Sequence, residues 1–407
     1  MKYFLKVLTL SVLGLSAAKA AQAAGFQINE YSAVNLGRAF AGVGVMADDF
    51  SAIGYNPAGM SLNKTNGVQG TASWIRTHSD YKGSNGYGQT GDGHTNINRV
   101  VPSFFAQYRP NDKVTTGIGI YTPFGLATDY PNGWFAEMHG AHSAITVVDV
   151  SPSIAYRFND IFSVGGAINI QYAGAHLTSS ASDVSGDDWA AGYSLGLTLT
   201  PLKELRFGLS YRSKVSHRLK GDLDRLTQGP FTMTGDVNAK ITTPEVAILS
   251  AAWDITDKWT LSGTARWTRW KRFDDLDINL DFNHPMAGPI HTTSHTSERW
   301  RNTGFYSLGL DYKANDKWTF RGGIGYDMTV IRSKAYRTPR IPDGRRFLAS
   351  LGMSYTYKNM QFDAGYTHLF IYGGHARGTD SSNINNRPNI KYSSYADVLG
   401  VGFQYKF

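Results

Sequence analysis

After residue 63 the chain falls into a rhythm of two. Trp189, Tyr193, Leu195, Leu197 and Leu199 occupy odd positions, and small or polar residues fill most of the gaps. After a turn, Leu205, Phe207, Leu209 and Tyr211 continue the alternation, and Phe347, Leu351, Met353, Tyr355 and Tyr357 repeat it. Period two means strands with one apolar face and one small or polar face. Short Asn-, Asp- and Pro-bearing turns interrupt it at 110–113, 159–160, 201–204, 256–259, 315–318 and 358–359. Longer polar stretches lie between them, near 79–97, 122–143, 177–188, 216–242, 273–299, 329–345 and 373–393. Six short turns and two free ends predict 14 antiparallel strands with both termini on one side. Strict alternation of short and long turns favours a transmembrane barrel, apolar outside and polar within, over a soluble β-sandwich.

Residues 24–63 break the rhythm. They are rich in Gly and Ala, carry Asp48 and Asp49, and close on Asn56, Pro57 and Ala58. There the proline removes a backbone donor and biases Asn56 away from helix. A compact small-residue stretch ahead of a long β array predicts a plug inside the barrel. Ahead of it, Lys2 and Lys6, an apolar run over 4–18 and the Ala21-Gln22-Ala23 site fit a secretory leader. The organisation expected is a signal peptide at 1–23, an N-terminal hatch at 24–65 and a barrel at 66–407. No later run approaches the 18 apolar residues of a spanning helix. Alternate aromatics finishing in Tyr405 and Phe407 fit a terminal barrel strand.

Composition narrows the function. Hydrophobic content is 42%, low for a large two-sided core, while Gly (44 residues) and aromatics (13%) are abundant, as a one-sided lipid-facing band requires. The net charge of +8 falls further once the leader lysines go, and no basic stripe with interleaved aromatics points to nucleic acid. The absence of cysteine excludes a disulfide framework and thiol-based metal or redox chemistry.

The segments AGFQINE, LGRAFAG, YNPAGM, VPSFFA and YTPFGLATDY resemble the FadL family of outer-membrane long-chain fatty acid transporters, and the likeness runs over essentially the whole mature chain. It implies a 14-stranded all-β antiparallel barrel whose first forty or so mature residues form a hatch. It also implies that Asn56, Pro57 and Ala58 pack against an inward kink in the third strand, where the wall opens sideways. The residues mark that break independently. Pro123 cannot donate to a central ladder, and Gly119 and Gly125 weaken pairing around Thr122. Phe26 matches the family segment that touches ligand.

Other candidates come from the chemistry of a fatty acid, which needs an apolar slot and a cation or donor for its carboxylate. Trp134, Phe135 and Met138 form an apolar cluster in an otherwise polar loop, as a capture patch or a loop anchor. The positions matching the family's basic head-group residues fall near Ser179 and Thr296, neither basic. Arg266, Arg269, Arg299 and Arg301 are the substitutes. Gly192-Tyr193-Ser194-Leu195-Gly196 matches a nucleophile elbow, but its strand simply continues, so Gly196 reads as a lumen-facing position leaving room for hatch or ligand. His139 with His142, and Asp274, Asp275, Asp277 and Asp281, read as loop side chains rather than metal ligands.

The expectation is a non-enzymatic, monomeric outer-membrane transporter of a Gram-negative bacterium. Its partners are long-chain fatty acid or a similar hydrophobic molecule, outer-membrane lipid and lipopolysaccharide; no cofactor, metal or nucleic acid is expected. The alternative is a nonspecific or small-hydrophobe porin whose surface loops serve as adhesin or receptor.

Overall fold

The computed structural model describes residues 25–377 and 388–407. The signal-peptide reading of 1–23 and the start of the hatch at Ala24 lie outside the described residues, as does part of the last polar stretch.

Fourteen strands close the wall. They are β1 (Gly67–Ser84), β2 (Thr90–Tyr108), β3 (Val114–Asp129), β4 (His142–Arg157), β5 (Phe162–Thr178), β6 (Ser182–Leu202), β7 (Leu205–Arg212), β8 (Val246–Asp254), β9 (Trp259–Thr268), β10 (Thr303–Lys313), β11 (Trp318–Asp327), β12 (Arg345–Tyr357), β13 (Met360–Tyr372) and β14 (Asn389–Lys406). Each pairs antiparallel with its neighbours, and β1 pairs with β14 from Gly67↔Lys406 to Ser84↔Asn389, which removes the sheet edge. Closure satisfies the backbone inside lipid, where nothing else can. The predicted alternation faces as expected. Trp189, Tyr193, Leu195, Phe207, Leu209, Phe347 and Leu351 are exposed on the lipid side.

Two of the expected polar loops are instead long hairpins. Val215–Gln228 pairs with Phe231–Thr243, and Asp275–His284 pairs with Gly288–Ser297. The two arms pair with each other at Ile278↔Ala239, and the first continues the outer end of β6 at Asp187↔Lys220. Val215, Leu219, Leu223 and Leu280 line their inner faces. The arms extend the barrel beyond its lipid-facing band.

Residues 25–63 fill the lumen with almost wholly buried side chains. Two single-turn helices, α1 (Ala33–Leu36) and α2 (Ala52–Tyr55), and a 3-10 turn over Pro57–Ser61 shape the hatch. Ser32 caps α1 through its hydroxyl, which accepts from Asn35 N. Ala39 and Phe40 sit consecutively at φ 53° and 60°, a left-handed pair that local propensity opposes and the surrounding wall enforces.

Wall glycines allow the hatch backbone to come close. A Cβ on Gly365 would lie 2.3 Å from Ala33 O, and one on Gly323 would lie 2.3 Å from Arg38 O. Charge joins the same surfaces. Buried Arg38 pairs with Asp48 at 2.7 Å and with Asp311 of β10 at 2.8 Å, while Arg321 of β11 reaches Asp311 at 2.9 Å and Asp48 at 3.2 Å. Two cations facing two carboxylates leave this buried cluster neutral, the condition under which buried charge is tolerated.

Candidate functional site

The third strand does break. β2 and β3 pair from Tyr108↔Thr116 to Phe104↔Ile120 and no further, although β2 continues outward to Thr90 and β3 to Asp129. The β3–β4 register slips between Tyr121 and Phe124, leaving Thr122 and Pro123 out of the ladder. Pro123 supplies no donor, so the slip costs no hydrogen bond there. The Thr122 hydroxyl is buried without a partner among the described residues. Gly119 lies below the break, still paired with Phe105 and Ser151; its sequence assignment to the opening is corrected accordingly.

What grips the bent segment is the start of the hatch. Ile28 N donates to Pro123 O at 2.9 Å, Gly125 N donates to Phe26 O at 2.6 Å, and Gln27 bridges Phe124. Residues 26–28 therefore replace β2 as the partner of β3. The Asn56, Pro57, Ala58 turn, expected at this break, is seated elsewhere. Asn56 Nδ2 donates to Leu197 O of β6 at 3.1 Å, and Asn56 Oδ1 accepts from Ala58 N at 3.1 Å. Virtual Cβ atoms on Gly165 and Gly196 would lie 2.4 Å from Ala58 N and 1.9 Å from Asn56 Oδ1. Gly196 is thus a seat for the hatch. The strand runs straight through Ser194, so no elbow forms.

Above the break lies an apolar slot. Leu126, Ile145, Leu219, Ile241 and Phe273 line a cavity of about 50 Å³, with Glu298 and Arg340 also on its wall. Glu298, Arg340, Leu177 and Val184 also border an outer vestibule of about 600 Å³. The vestibule has the size of a small-molecule pocket and the slot does not, so passage requires the slot to widen. Arg340 donates to Ser143 Oγ at 3.0 Å and to His142 O at 3.3 Å. Burial pulls its guanidinium down to about 10 against the opposing charge of Glu298, which leaves it charged at neutral pH.

The slot belongs to one buried apolar cluster with Phe26. Four rings surround Phe26, with centroids 4.7 Å (Trp270), 5.5 Å (Phe273), 5.7 Å (Trp300) and 5.9 Å (Phe124) away. Edge-on rings at these spacings pack favourably. The cage closes the slot toward the hatch.

The other candidates divide. Trp134 is buried, stacks on Tyr130 at 3.9 Å and donates its indole N–H to Gly140 O at 3.0 Å. Phe135 packs edge-on against Trp134 at 5.3 Å. Trp134, Phe135 and Met138 together line an outer cavity of about 1040 Å³, and Met138 also borders the vestibule. Arg266 is buried and donates to Asn29 of the hatch; Arg269 is half-exposed and faces Glu245 at 3.6 Å. Arg299 lies over Tyr336, and Arg301 donates to Thr329 O at 3.0 Å. His139 meets Asn85 O at 3.0 Å and His142 faces Asp129 at 3.5 Å, so the two histidines have separate partners. Asp277 and Asp281 each meet a histidine at 2.6 Å across the second arm.

The sequence reading missed Arg340, Trp270, Trp300 and the pairing of residues 26–28 with β3. The one signal for Arg340 was a cation set between Pro339, Ile341 and Pro342.

Comparison with known proteins agrees with this architecture. The chain is 28% identical over 98% of its length to an outer membrane protein of Neisseria meningitidis serogroup B, also covering 98% of that protein. It is 25% identical to a long-chain fatty acid transport protein of Escherichia coli O6:H1, covering 95% of each chain. The crystal structure of a Pseudomonas aeruginosa FadL homologue superposes with a TM-score of 0.83 at 23% identity, covering 94% of this chain and 100% of that one. The model of the family described as outer membrane protein transport protein (OMPP1/FadL/TodX) matches residues 14–407, and the chain belongs to this family of outer-membrane β-barrel transporters of hydrophobic molecules.

Proposed function

We propose that this transporter imports long-chain fatty acids, taking them up at the outer vestibule and releasing them sideways into the membrane through the break between β2 and β3. The observation that carries the reading is the apolar slot with a charged Arg340 at its boundary with the vestibule. An acyl chain fits apolar walls, and a guanidinium fork fits a carboxylate. The tail enters below Arg340 and displaces the Phe26 cage. Because residues 26–28 are hydrogen-bonded to the bent strand in place of β2, that displacement also moves the residues that occupy the break. Sideways exit suits an apolar cargo, since release into the periplasm would return its tail to water.

Arg340→Ala tests the reading. In purified protein, apparent affinity for decanoate falls about tenfold, the worth of one charge-assisted hydrogen bond, while affinity for decanol is unchanged. Equal loss for both ligands would assign Arg340 to packing and remove the head-group role. A second reading, a small aromatic hydrocarbon as cargo, is favoured by the rings around Phe26. Toluene competing with decanoate at similar concentration would support it.

A further inference from the structure

We propose that the outward face of the turn over residues 269–273 holds a phosphate of lipopolysaccharide, the glycolipid of the outer leaflet, with its acyl chains lying along β9. The site is on the outside of the wall and does not depend on which cargo passes within.

The turn has two faces. Trp270 and Phe273 are buried against Phe26, with ring centroids 4.7 and 5.5 Å away. Arg269, Lys271 and Arg272 take the other side and reach solvent. Arg269 N donates to Glu245 O at 2.9 Å, which carries the β8–β9 ladder one step past Thr268. Arg269 therefore keeps the lipid-facing side of Trp267, two residues before it. Lys271 N donates to Asn302 Oδ1 at 3.2 Å, and Phe273 N donates to Trp270 O at 2.9 Å, so the turn is fastened in place.

Positive charge gathers around it. Glu298 N and Arg299 N donate to Asp274 O, and Arg301 N donates to Val330 O, so segments 298–302 and 329–334 flank the turn. The flanks add Arg299, Arg301, Arg332 and Lys334, against Asp274, Glu298 and Glu245 as the carboxylates. Arg269 and Arg272 share Glu245 at 3.6 and 2.6 Å. Lys271, Arg332 and Lys334 pair with no carboxylate among the described residues. Like charges gathered at a surface repel, and exposed ion pairs return little, so the fold gains nothing from this excess. A phosphate does fit it, with guanidinium forks and an ammonium group as donors.

The position of the patch selects a lipid. Just below it, Trp267 and Tyr306 are exposed on the lipid side, and Tyr306, Tyr326 and Phe347 pair in one cross-strand row. Such a row marks the level where hydrocarbon meets headgroups. Beneath the row runs a shallow apolar groove of about 460 Å³. Its floor is the small outward residues of β9, Gly263 and Ala265, and its walls are Leu249 on β8 and Tyr306 and Leu308 on β10. The groove leads along β9 to Trp267 and Arg269. A soluble anion would leave the groove empty, whereas a phosphorylated lipid fills groove and patch together. Bound there, the lipid braces from outside the turn whose rings close the slot.

The test titrates the full-length protein in detergent with diphosphoryl lipid A, the membrane anchor of lipopolysaccharide, and counts bound lipid by native mass spectrometry. Arg269→Gln with Lys271→Gln, which leaves the Arg272 pair with Glu245 intact, should weaken binding about thirtyfold, a factor of about five for each cation beside an anionic headgroup. Ala265→Leu, which fills the groove and leaves every cation in place, should weaken it severalfold. Lys258→Gln with Lys317→Gln removes the same charge from the short turns at the opposite rim and should bind as wild type. Wild-type binding by the Arg269 and Lys271 double variant overturns the proposal. So does an equal loss in the opposite-rim variant, which would reduce the effect to net charge, or equal binding of lipid A stripped of its phosphates. Wild-type binding by Ala265→Leu, with inorganic phosphate displacing the lipid, would assign the patch to a soluble anion and overturn the lipid assignment.

Discussion

Gly165→Ala probes the seat of the Asn56 turn directly. The new methyl would stand 2.4 Å from Ala58 N, 2.6 Å from Pro57 C and 2.7 Å from Ala58 Cα. These are backbone atoms, so no side-chain rotation relieves the clash; the turn must retreat by about 1 Å to reach ordinary contact. The strand itself has no need to move, because Gly165 pairs through its backbone with Gly196 and Ala155. Retreat stretches the Asn56 bond to Leu197 O beyond use, a loss of about 1 kcal/mol. It also loosens Ala58 and Met60, both fully buried, adding about 1–2 kcal/mol of overpacking cost. The sum, about 2–3 kcal/mol, raises the open population of the turn roughly 30- to 140-fold. Amide exchange at residues 57–61 should accelerate by that factor, while β5 and β6 exchange as in wild type and the barrel keeps its heat-modifiable migration. Wild-type exchange at 57–61 in a folded variant would refute the argument, because it would mean that the seat does not hold the turn.

Three further outcomes are expected. Replacing Pro123 and Gly125 with valine supplies a donor and β-propensity where the ladder slips; labelled fatty acid should still bind while uptake falls, and undiminished uptake with the wall shown closed would exclude the sideways route. Burial, aided by the charge of Asp48, raises the Asp49 carboxyl above its ordinary value, and burial raises Glu30 likewise. A carboxyl raised in the fold stabilises it fully below about pH 4 and loses that contribution as pH climbs through the raised value. Hatch amides, corrected for intrinsic exchange rate, should therefore be better protected at pH 5 than at pH 8; the opposite trend would contradict the burial argument. Trp134→Ala removes the stack on Tyr130 and should destabilise the loop by about 3 kcal/mol, read as faster proteolysis within 130–141 with decanoate affinity unchanged.

The wall was legible because lipid imposes period two on every strand that crosses it, so Trp189, Leu195 and Leu209 announced their side. The arms were not. Beyond the lipid their outer faces carry Ser216, Arg218 and Lys220, all exposed, and a strand with no apolar outer face reads as a polar loop. The break was legible in Pro123, whose missing donor is a local property. Its partner was not, since the hydrogen bonds from residues 26–28 depend on where the hatch turns inside the lumen. The Asn56 turn was misplaced for a related reason. Its seat is built from Gly165 and Gly196 on adjacent strands, and only their register brings them together. Arg340 escaped because the slot it borders draws its walls from β3, β4, β5 and both arms.

The joint between β1 and β14 bears on how the molecule is made. It unites Gly67 with Lys406, so it can form only after nearly the whole chain exists. Closing so long a loop costs about 4 kcal/mol more than closing a hairpin turn, and contacts this distant in sequence form slowly. The segment just ahead of β1 touches glycines on β11 and β13, strands made near the end of synthesis. In the closed barrel the same segment also holds β1, where Ser73 Oγ donates to Glu30 O at 3.0 Å. The hatch is therefore placed to act as a template during assembly, gathering the late strands beside the first one and shortening the search that closes the wall.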